Sequence, residues 1–431
     1  MKVGILTMFN GLASIYSLVN VVADEIRMLL NQGIEVRLLV CEDLPDREKT
    51  GIYLDPRIEW VRVCNRYRGK QIQWRDYHSP SVPIHSTFMD EATVVGKDLV
   101  RKLSNLDVCI MHDIHYQGWH LLHNVAVRYA AERLPNLRFI AVTHSMPDES
   151  QIYNSVSWPH SARYTPMDHT IYTYPTSCGL PSLSRQYRVD LKRCRVLNNT
   201  LDLLEYMNPQ ILALHEKVDL LSPDLLIVYP ARFTRAKKFE KVAMLAGAMR
   251  KVSGYSTKVI FSEFPAMDTI SEEYKSEIRH FGGLCGLEPD DMVFVSEQGY
   301  PMGLKRESIL NLFTLSNVFL CPSCSESFGL TALEAAAMGN FLVLNEAVPA
   351  LKELGDMLHA YYLRWDACNF GFNTEESYYP GELEYYEEHG KIILETLEQN
   401  PLFQAKRNVR RRYSPKWVYE NQLKALLTEQ Y

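Results

Sequence analysis

The sequence has no surplus of positive charge. Forty-six Lys and Arg residues stand against 52 Asp and Glu, a formal net charge of −6, so no global field exists to hold nucleic acid or an anionic bilayer. It also lacks any apolar run long enough to span a membrane. The start has no secretory form: Lys2 leads into the short run Val3 to Phe9, followed by Asn10 and Gly11, which reads as a buried strand and its turn. Cysteine is sparse. The nine cysteines are odd in number and scattered from Cys41 to Cys368, which suits reduced thiols in a cytoplasm better than a disulfide framework. Cys321 and Cys324 form a CxxC with no second pair nearby, so zinc and redox readings find little to stand on. Internal repeats and low-complexity tracts are absent too. These absences set the expectation of a cytoplasmic protein without a nucleic-acid partner. One local exception is Arg62 to Arg75, where Arg66, Arg68, Lys70 and Arg75 alternate with Tyr67 and Trp74. A solvated loop is the plain reading, and a polyanion or peripheral membrane contact is the alternative.

What is present is a long chain with an ordinary core composition. At 431 residues, 46% hydrophobic and 23% charged, it exceeds one compact α/β core and predicts two domains. Val3 to Phe9 reads as a strand, Ser17 to Asn31 as a helix ended by Gly33, and Ile34 to Cys41 as a second strand. Leu106 to Met111, Arg138 to Thr143 and Cys194 to Leu197 add strands, with helical spacing over Gly118 to Arg133. After a break near Asp202 to Asp224 the alternation restarts. Strands are expected at Leu225 to Pro230, Lys258 to Phe261, Met292 to Val295, Val318 to Cys321 and Phe341 to Leu344. Helices fall between them at Phe239 to Lys251, Arg306 to Leu315 and Thr331 to Met338. The α/β pattern predicts two Rossmann-like, doubly wound domains facing each other across a cleft. One covers 1–205 and regains a closing helix at about 413–431; the other covers 206–412. The Ser145 to Tyr187 stretch, rich in Ser, Pro, Tyr and His, is expected to hold loops and short helices.

The densest chemistry lies in Val318 to Pro349, VFLCPSCSESFGLTALEAAAMGNFLVLNEAVP. A strand ends at Cys321, a turn carries Glu326, Phe328 and Gly329, and a helix opens near Thr331 with Glu334 close to its first turn. Gly329 lets backbone approach a ligand, the N–H groups of Phe328, Gly329, Leu330 and Thr331 are free to point at it, and the helix dipole favours a phosphate there. Glu326 and Glu334 are then placed to accept hydrogen bonds from sugar hydroxyls on either side of a diphosphate. The same strand, turn and helix with two acids also serves as a capping arrangement that binds nothing.

The run ESFGLTALEAAAMG resembles the E-x7-E signature of retaining glycosyltransferases of the GT-B fold, in glycosyltransferase family 4. The resemblance implies that Glu326 contacts hydroxyls of the transferred sugar and Glu334 holds the ribose. Upstream, YPARFTRAKKFEK from Tyr229 is similar to the family's strand followed by an Arg and a Lys that clamp the donor diphosphate. Arg232 and Lys237 match that spacing, with Lys238 next in register and no Gly after the Lys. Fixed cations there stabilise the charge that develops on a leaving diphosphate. In the first half, VLNNTLD at Val196 to Asp202 resembles the family's stretch before the interdomain linker. DVCIMHDIH from Asp107 resembles its acceptor-side strand and loop, with Asp113 as a candidate. AVTHSMP places His144 where relatives keep a His near the transferred sugar. Gly11 stands where the family has a glycine-rich turn near the donor phosphates. RRRYSPKWVYENQLKALL from Arg410 resembles a C-terminal helix that returns to the first domain.

The resemblance implies hexose transfer from a UDP-, GDP- or ADP-sugar onto a small-molecule, glycan or lipid-linked acceptor, with no metal and no cofactor beyond the donor. Glu326 and Glu334 are then binding groups rather than an acid and base pair. His112, His115, His120 and His123 form no HExxH and read as core or cleft histidines. A disaccharide phosphorylase, a non-catalytic nucleotide-sugar binding protein and a nucleotide-sugar epimerase remain as alternatives on the same fold.

Overall fold

The computed structural model describes residues 1–145, 156–266, 271–365 and 381–429. Cys368, the last two residues of the expected closing helix and positions 146–155 of the Ser145 to Tyr187 stretch lie outside the described residues. Contacts divide the chain into two compact units, Met1–Leu201 with Pro415–Tyr431, and Asp202–Ser414.

Unit 1 runs β1 (Lys2–Leu6), α1 (Ser17–Asn31), β2 (Glu35–Cys41), β3 (Ile58–Val63), a small hairpin of β4 (Arg66–Tyr67) and β5 (Lys70–Gln71), and α2 (Phe88–Leu103). It continues through β6 (Val108–His112), α3 (Leu121–Ala131), β7 (Arg138–Val142), β8 (Thr170–Tyr174), α4 (Leu180–Tyr187) and β9 (Cys194–Val196). Seven strands pair in the order β3-β2-β1-β6-β7-β8-β9, each neighbour parallel. Alternate residues along β1 and β6 feed two apolar clusters, Leu6, Cys109 and Met111 in one and Val3, Ile5, Val108 and Ile110 in the other. A sheet with both faces covered produces near-continuous apolar strands of this kind.

Unit 2 runs α5 (Pro209–His215), β10 (Leu225–Arg232), α6 (Phe239–Ser253), β11 (Thr257–Phe264), α7 (Ser271–Leu284), β12 (Met292–Phe294) and α8 (Arg306–Leu315). Then come β13 (Val318–Cys321), α9 (Leu330–Ala337), β14 (Phe341–Asn345), α10 (Pro349–Leu358), β15 (Tyr361–Leu363), α11 (Glu382–Gln399) and α12 (Pro401–Arg412). Its six strands follow the order β12-β11-β10-β13-β14-β15, again parallel. In both sheets the order reverses beside the first strand, between β1 and β6 and between β10 and β13. Ligands of open parallel sheets bind at such switch points, beyond the carboxyl ends of the strands.

Several boundaries differ from the sequence pattern for local reasons. The first strand stops at Leu6 rather than Phe9, because Met8 takes a left-handed backbone, φ 55°, and turns the chain out of the ladder. The helix expected from Gly118 opens with a 3-10 turn at Gly118–His120 before α3 begins. A Cβ on Gly118 would sit 2.3 Å from the His78 nitrogen, so this close approach admits only glycine. The break at Asp202 to Asp224 contains a 3-10 turn, Leu203–Tyr206, and α5. The described part of the Ser145 to Tyr187 stretch holds a full strand, β8, besides its loops and short helices.

The closing segment, α13 (Pro415–Val418), a π turn at Tyr419–Leu423 and α14 (Lys424–Thr428), buries Val418, Tyr419, Leu423, Leu426 and Leu427 in the α1 side of the unit 1 core. Arg138 fixes its far end by donating to the carbonyls of Leu427 and Glu429, each at 2.6 Å.

Candidate functional site

In unit 2 the switch-point loops are stitched together. After β10, the chain makes a 3-10 turn at Arg235–Lys237, and Lys238 at φ 53° starts α6. Tyr229 in β10 donates its hydroxyl to the Lys237 carbonyl at 2.7 Å. The Cys324 N–H reaches the Ala236 carbonyl at 3.0 Å, tying the loop after β13 to the turn after β10. The Lys237 ammonium then lies 2.5 Å from Glu326 Oε1, and 3.3 and 3.4 Å from Ser323 Oγ and the Ser325 carbonyl. Lys238 is buried and turned into the fold, so Lys237 is the residue that the turn delivers to Glu326. Arg232, the last residue of β10, is exposed and makes no ion pair among the described residues. Arg235 is consumed structurally, forked on Glu277 at 2.7 and 3.0 Å.

Gly329 caps α9 at φ 90°, and a Cβ there would meet Leu351 Cδ2 at 2.9 Å. Both facts demand glycine. The first turn of α9 leaves donors over: the N–H groups of Phe328, Gly329, Leu330 and Thr331 find no acceptor among the described residues. Phe328 and Leu330 are more than half exposed beside them. The result is a short nest of backbone donors with an apolar rim, at the positive end of a helix dipole.

Glu334 sits one turn further along α9. Its side chain is only 11% exposed, and Arg306 from the start of α8, itself 70% exposed, donates Nε to Glu334 Oε1 at 2.7 Å. Arg306 was not singled out in the sequence, where it reads as a charged residue in a helix's first turn. Burial pushes the Cys321 thiol up to about 12, which makes it a core residue rather than a nucleophile.

In unit 1, His112 ends β6 and His144 follows β7. His112 Nδ1 and His144 Nε2 are 3.0 Å apart, and His112 Nε2 is 2.8 Å from Glu25 Oε2 on α1. Asp113 takes φ 58° and accepts from the His144 backbone N–H at 2.8 Å. Burial raises the Asp113 carboxyl above its usual range, opposed by that hydrogen bond. Burial, then the neighbouring His112, lowers His144 to about 3. A crevice beside them is lined by Glu25, His112, His144, Asn198, Asn199 and Thr200. The Asn-Asn-Thr stretch is held from behind, Thr200 donating to Asp24 at 2.7 Å and the Asn198 N–H to Gln422 Oε1 at 2.8 Å.

Gly11 lies in the same unit, in the loop after β1, where the next N–H, of Leu12, donates to Glu48 Oε2 at 2.8 Å. A carboxylate therefore already occupies that turn. In the basic stretch at Arg62 to Arg75, Arg62 pairs with Asp46 at 2.9 Å and Arg66 faces Asp43 at 3.2 Å, while Arg68, Lys70 and Arg75 are exposed and make no ion pair among the described residues. His120 and His123 hydrogen-bond each other at 3.0 Å, and His115 faces Arg128 at 3.1 Å. Among the described residues no group of three or more His, Cys, Asp or Glu is placed to hold a metal ion, and no helix is long and apolar enough to cross a membrane.

No family model matches the chain, and no curated protein matches it. Among solved structures it is similar to a glycosyltransferase from Rickettsia africae ESF-5, at 14% identity and TM-score 0.36 with both chains fully covered. It is similar at 12% identity and TM-score 0.35, again with both chains fully covered, to an E. coli structure described as trehalose-6-phosphate bound with UDP-2-fluoro glucose. A sucrose-phosphate synthase from Thermosynechococcus elongatus matches at 14% identity and TM-score 0.36 over 99% of each chain. Likeness at this level leaves the functional assignment to the chain's own residues.

Proposed function

We propose that the chain is a retaining glycosyltransferase of the GT-B fold, family 4. It would move a hexose from a nucleotide-sugar donor onto an acceptor hydroxyl without a metal ion. The observation that carries this reading is the unit 2 switch point, where Lys237, Glu326 and the unfilled donors of Phe328 to Thr331 lie on two stitched loops and the start of α9, with Glu334 one turn further on. A nucleoside diphosphate needs these groups: backbone donors and a fixed cation for the phosphates, and a carboxylate for ribose hydroxyls. Arg232 and Lys237 stabilise the charge on the leaving diphosphate, whose oxygen helps take the proton of the incoming hydroxyl. Glu326 contacts the transferred sugar, and Glu334, currently answering Arg306, takes the ribose. His144 and Asp113 in unit 1 serve the transferred sugar and the acceptor by the same resemblance, and Gly11 would meet the donor phosphates only with Glu48 displaced from the Leu12 N–H. The reaction belongs to the cytoplasm on this reading.

A thermal-shift panel of UDP-glucose, GDP-mannose and ADP-glucose tests it, since a ligand that binds only the folded state raises its apparent stability. One nucleotide sugar should raise the melting temperature with chelator present, and Glu334→Ala should reduce the shift at the same donor concentration. Stabilisation by inorganic phosphate and a disaccharide, with none by any nucleotide sugar, would overturn the reading.

A further inference from the structure

Glu25 is a carboxylate on the apolar face of a helix. It follows Val22 at the helical interval and precedes Ile26, and it is 3% exposed. Nothing in the proposed transfer reaction uses it directly. Its partner is His112 at 2.8 Å, with exposures of 4% and 0% for the two side chains. His112 passes the contact on to His144 at 3.0 Å. The two imidazole planes are 12° apart and their centroids 5.3 Å apart. That separation exceeds the nitrogen-to-nitrogen distance by about two ring radii, so the rings lie edge to edge in one plane. The hydrogen bond between them runs end on.

We infer that Glu25 and His112 are positioning residues that fix the tautomer of His144, so that His144 presents a bare Nδ1 to a substrate hydroxyl. With both rings neutral, the chain of donors leaves one consistent arrangement. A carboxylate only accepts, so His112 places its proton on Nε2 and donates it to Glu25. His112 Nδ1 is then a lone pair, which accepts the Nε2–H of His144. The one proton of His144 is used on His112, and its Nδ1 is left as an acceptor with no partner among the described residues, on a ring that lines the crevice. A second proton on His144 is disfavoured first by burial. The backbone N–H of His144 on Asp113, at 2.8 Å, keeps the ring's root in place independently of this relay.

The inference rests on the proposed transfer only for the identity of the hydroxyl, and the test separates the two. Full-length protein labelled with 15N-histidine, read by long-range 1H–15N correlation, reports which ring nitrogen carries the proton. His144 signals are assigned by their loss in His144→Gln. The parent should show His144 protonated at Nε2 and bare at Nδ1. Glu25→Met, which removes the acceptor at similar volume, should shift both nitrogens toward intermediate positions as the tautomers mix. Glu25→Gln, whose carbonyl still accepts, should move them back toward the parent. A parent His144 protonated at Nδ1, or one unmoved in Glu25→Met, overturns the inference, and the parent spectrum decides even where a variant fails to fold. Calorimetry of the same proteins with UDP-glucose, GDP-mannose and ADP-glucose reports on the donor site separately. Loss of all nucleotide binding in the parent would sink the transferase reading while leaving the tautomer result intact.

Discussion

Lys237 has two tasks in the proposed reaction, and they pull in different directions. It pairs with Glu326 at 2.5 Å before any donor arrives, and it must also face the diphosphate as the sugar leaves. Its contact with developing charge strengthens in the transition state, so Lys237→Ala and Arg232→Ala should each lower kcat more than they raise KM. Acting on one group, the two should lose less together than the sum of the singles. Arg232→Lys should rescue only partly, because a planar fork becomes a point charge. Steady-state kinetics with the donor found in the thermal panel checks all three, and single mutants that alter KM alone would refute the catalytic role. Glu334 poses a parallel question. Glu334→Ala should weaken donor binding by about 1.5–3 kcal/mol, the range of a charge-assisted hydrogen bond. Arg306, 70% exposed on the other side of that pair, should matter less to affinity than Glu334. Calorimetry with the matched nucleoside diphosphate compares them directly.

At the level of elements, the loop from Cys321 to α9 depends on one glycine. Any side chain at Gly329 must adopt φ 90° and meet Leu351 at 2.9 Å. Gly329→Ala should therefore cost about 1–3 kcal/mol of stability and blunt nucleotide binding in proportion to how far the donor nest is displaced. Urea unfolding against calorimetry separates the two losses. A second element, α12, acts as a clasp. Arg410, 1% exposed, donates to the carbonyls of Leu221, Leu315, Pro223 and Asp224. Arg410→Ala strands several carbonyls at once, and a loss of at least about 3 kcal/mol in the same urea experiment is expected.

These elements also show what was legible from residues alone. The strands on either side of each switch point were readable because an apolar run between turn residues has few other uses, and the turn with Glu326, Gly329 and Glu334 was singled out by its resemblance to the E-x7-E signature, since its spacing alone also fits a cap that binds nothing. Thr170–Tyr174 was missed as a strand because TIYTY has the composition of the polar, tyrosine-rich stretch around it, and its burial comes from α4 and the neighbouring strands. Glu25 carried a signal that went unused: an acid at the buried phase of an amphipathic helix. Arg306 carried none, since its pairing with Glu334 spans 28 residues and depends on how α8 and α9 pack.

For the whole molecule, acid should act on one unit before the other. Burial drives His123 to about 3 and His115 and His120 well below the usual histidine value, all three in unit 1. A depressed folded-state value means that the unfolded chain binds more protons below about pH 6.5, the unperturbed histidine value. The stability these rings contribute is therefore complete above that pH and falls as pH drops toward the folded-state values. Five of the six tryptophans, Trp60, Trp74, Trp119, Trp158 and Trp417, belong to unit 1. Thermal scans followed by tryptophan fluorescence at pH 7, 6 and 5 should show a steadily earlier transition. An unchanged midpoint across that range would mean that these rings take up protons in the folded state as readily as in the unfolded one.

The closing segment has a further consequence, for the order in which the polypeptide matures. Most of unit 1 is translated before unit 2, yet residues that come after unit 2 complete its core, with Leu423, Leu426 and Leu427 against the α1 side. Unit 2, contiguous from Asp202 to Ser414, has its whole sequence in hand sooner. Domains generally fold as units during synthesis, so here the later-born half can finish first. The earlier one waits with an apolar face open until the closing segment emerges behind unit 2, and that interval is when a holding chaperone would be of most use.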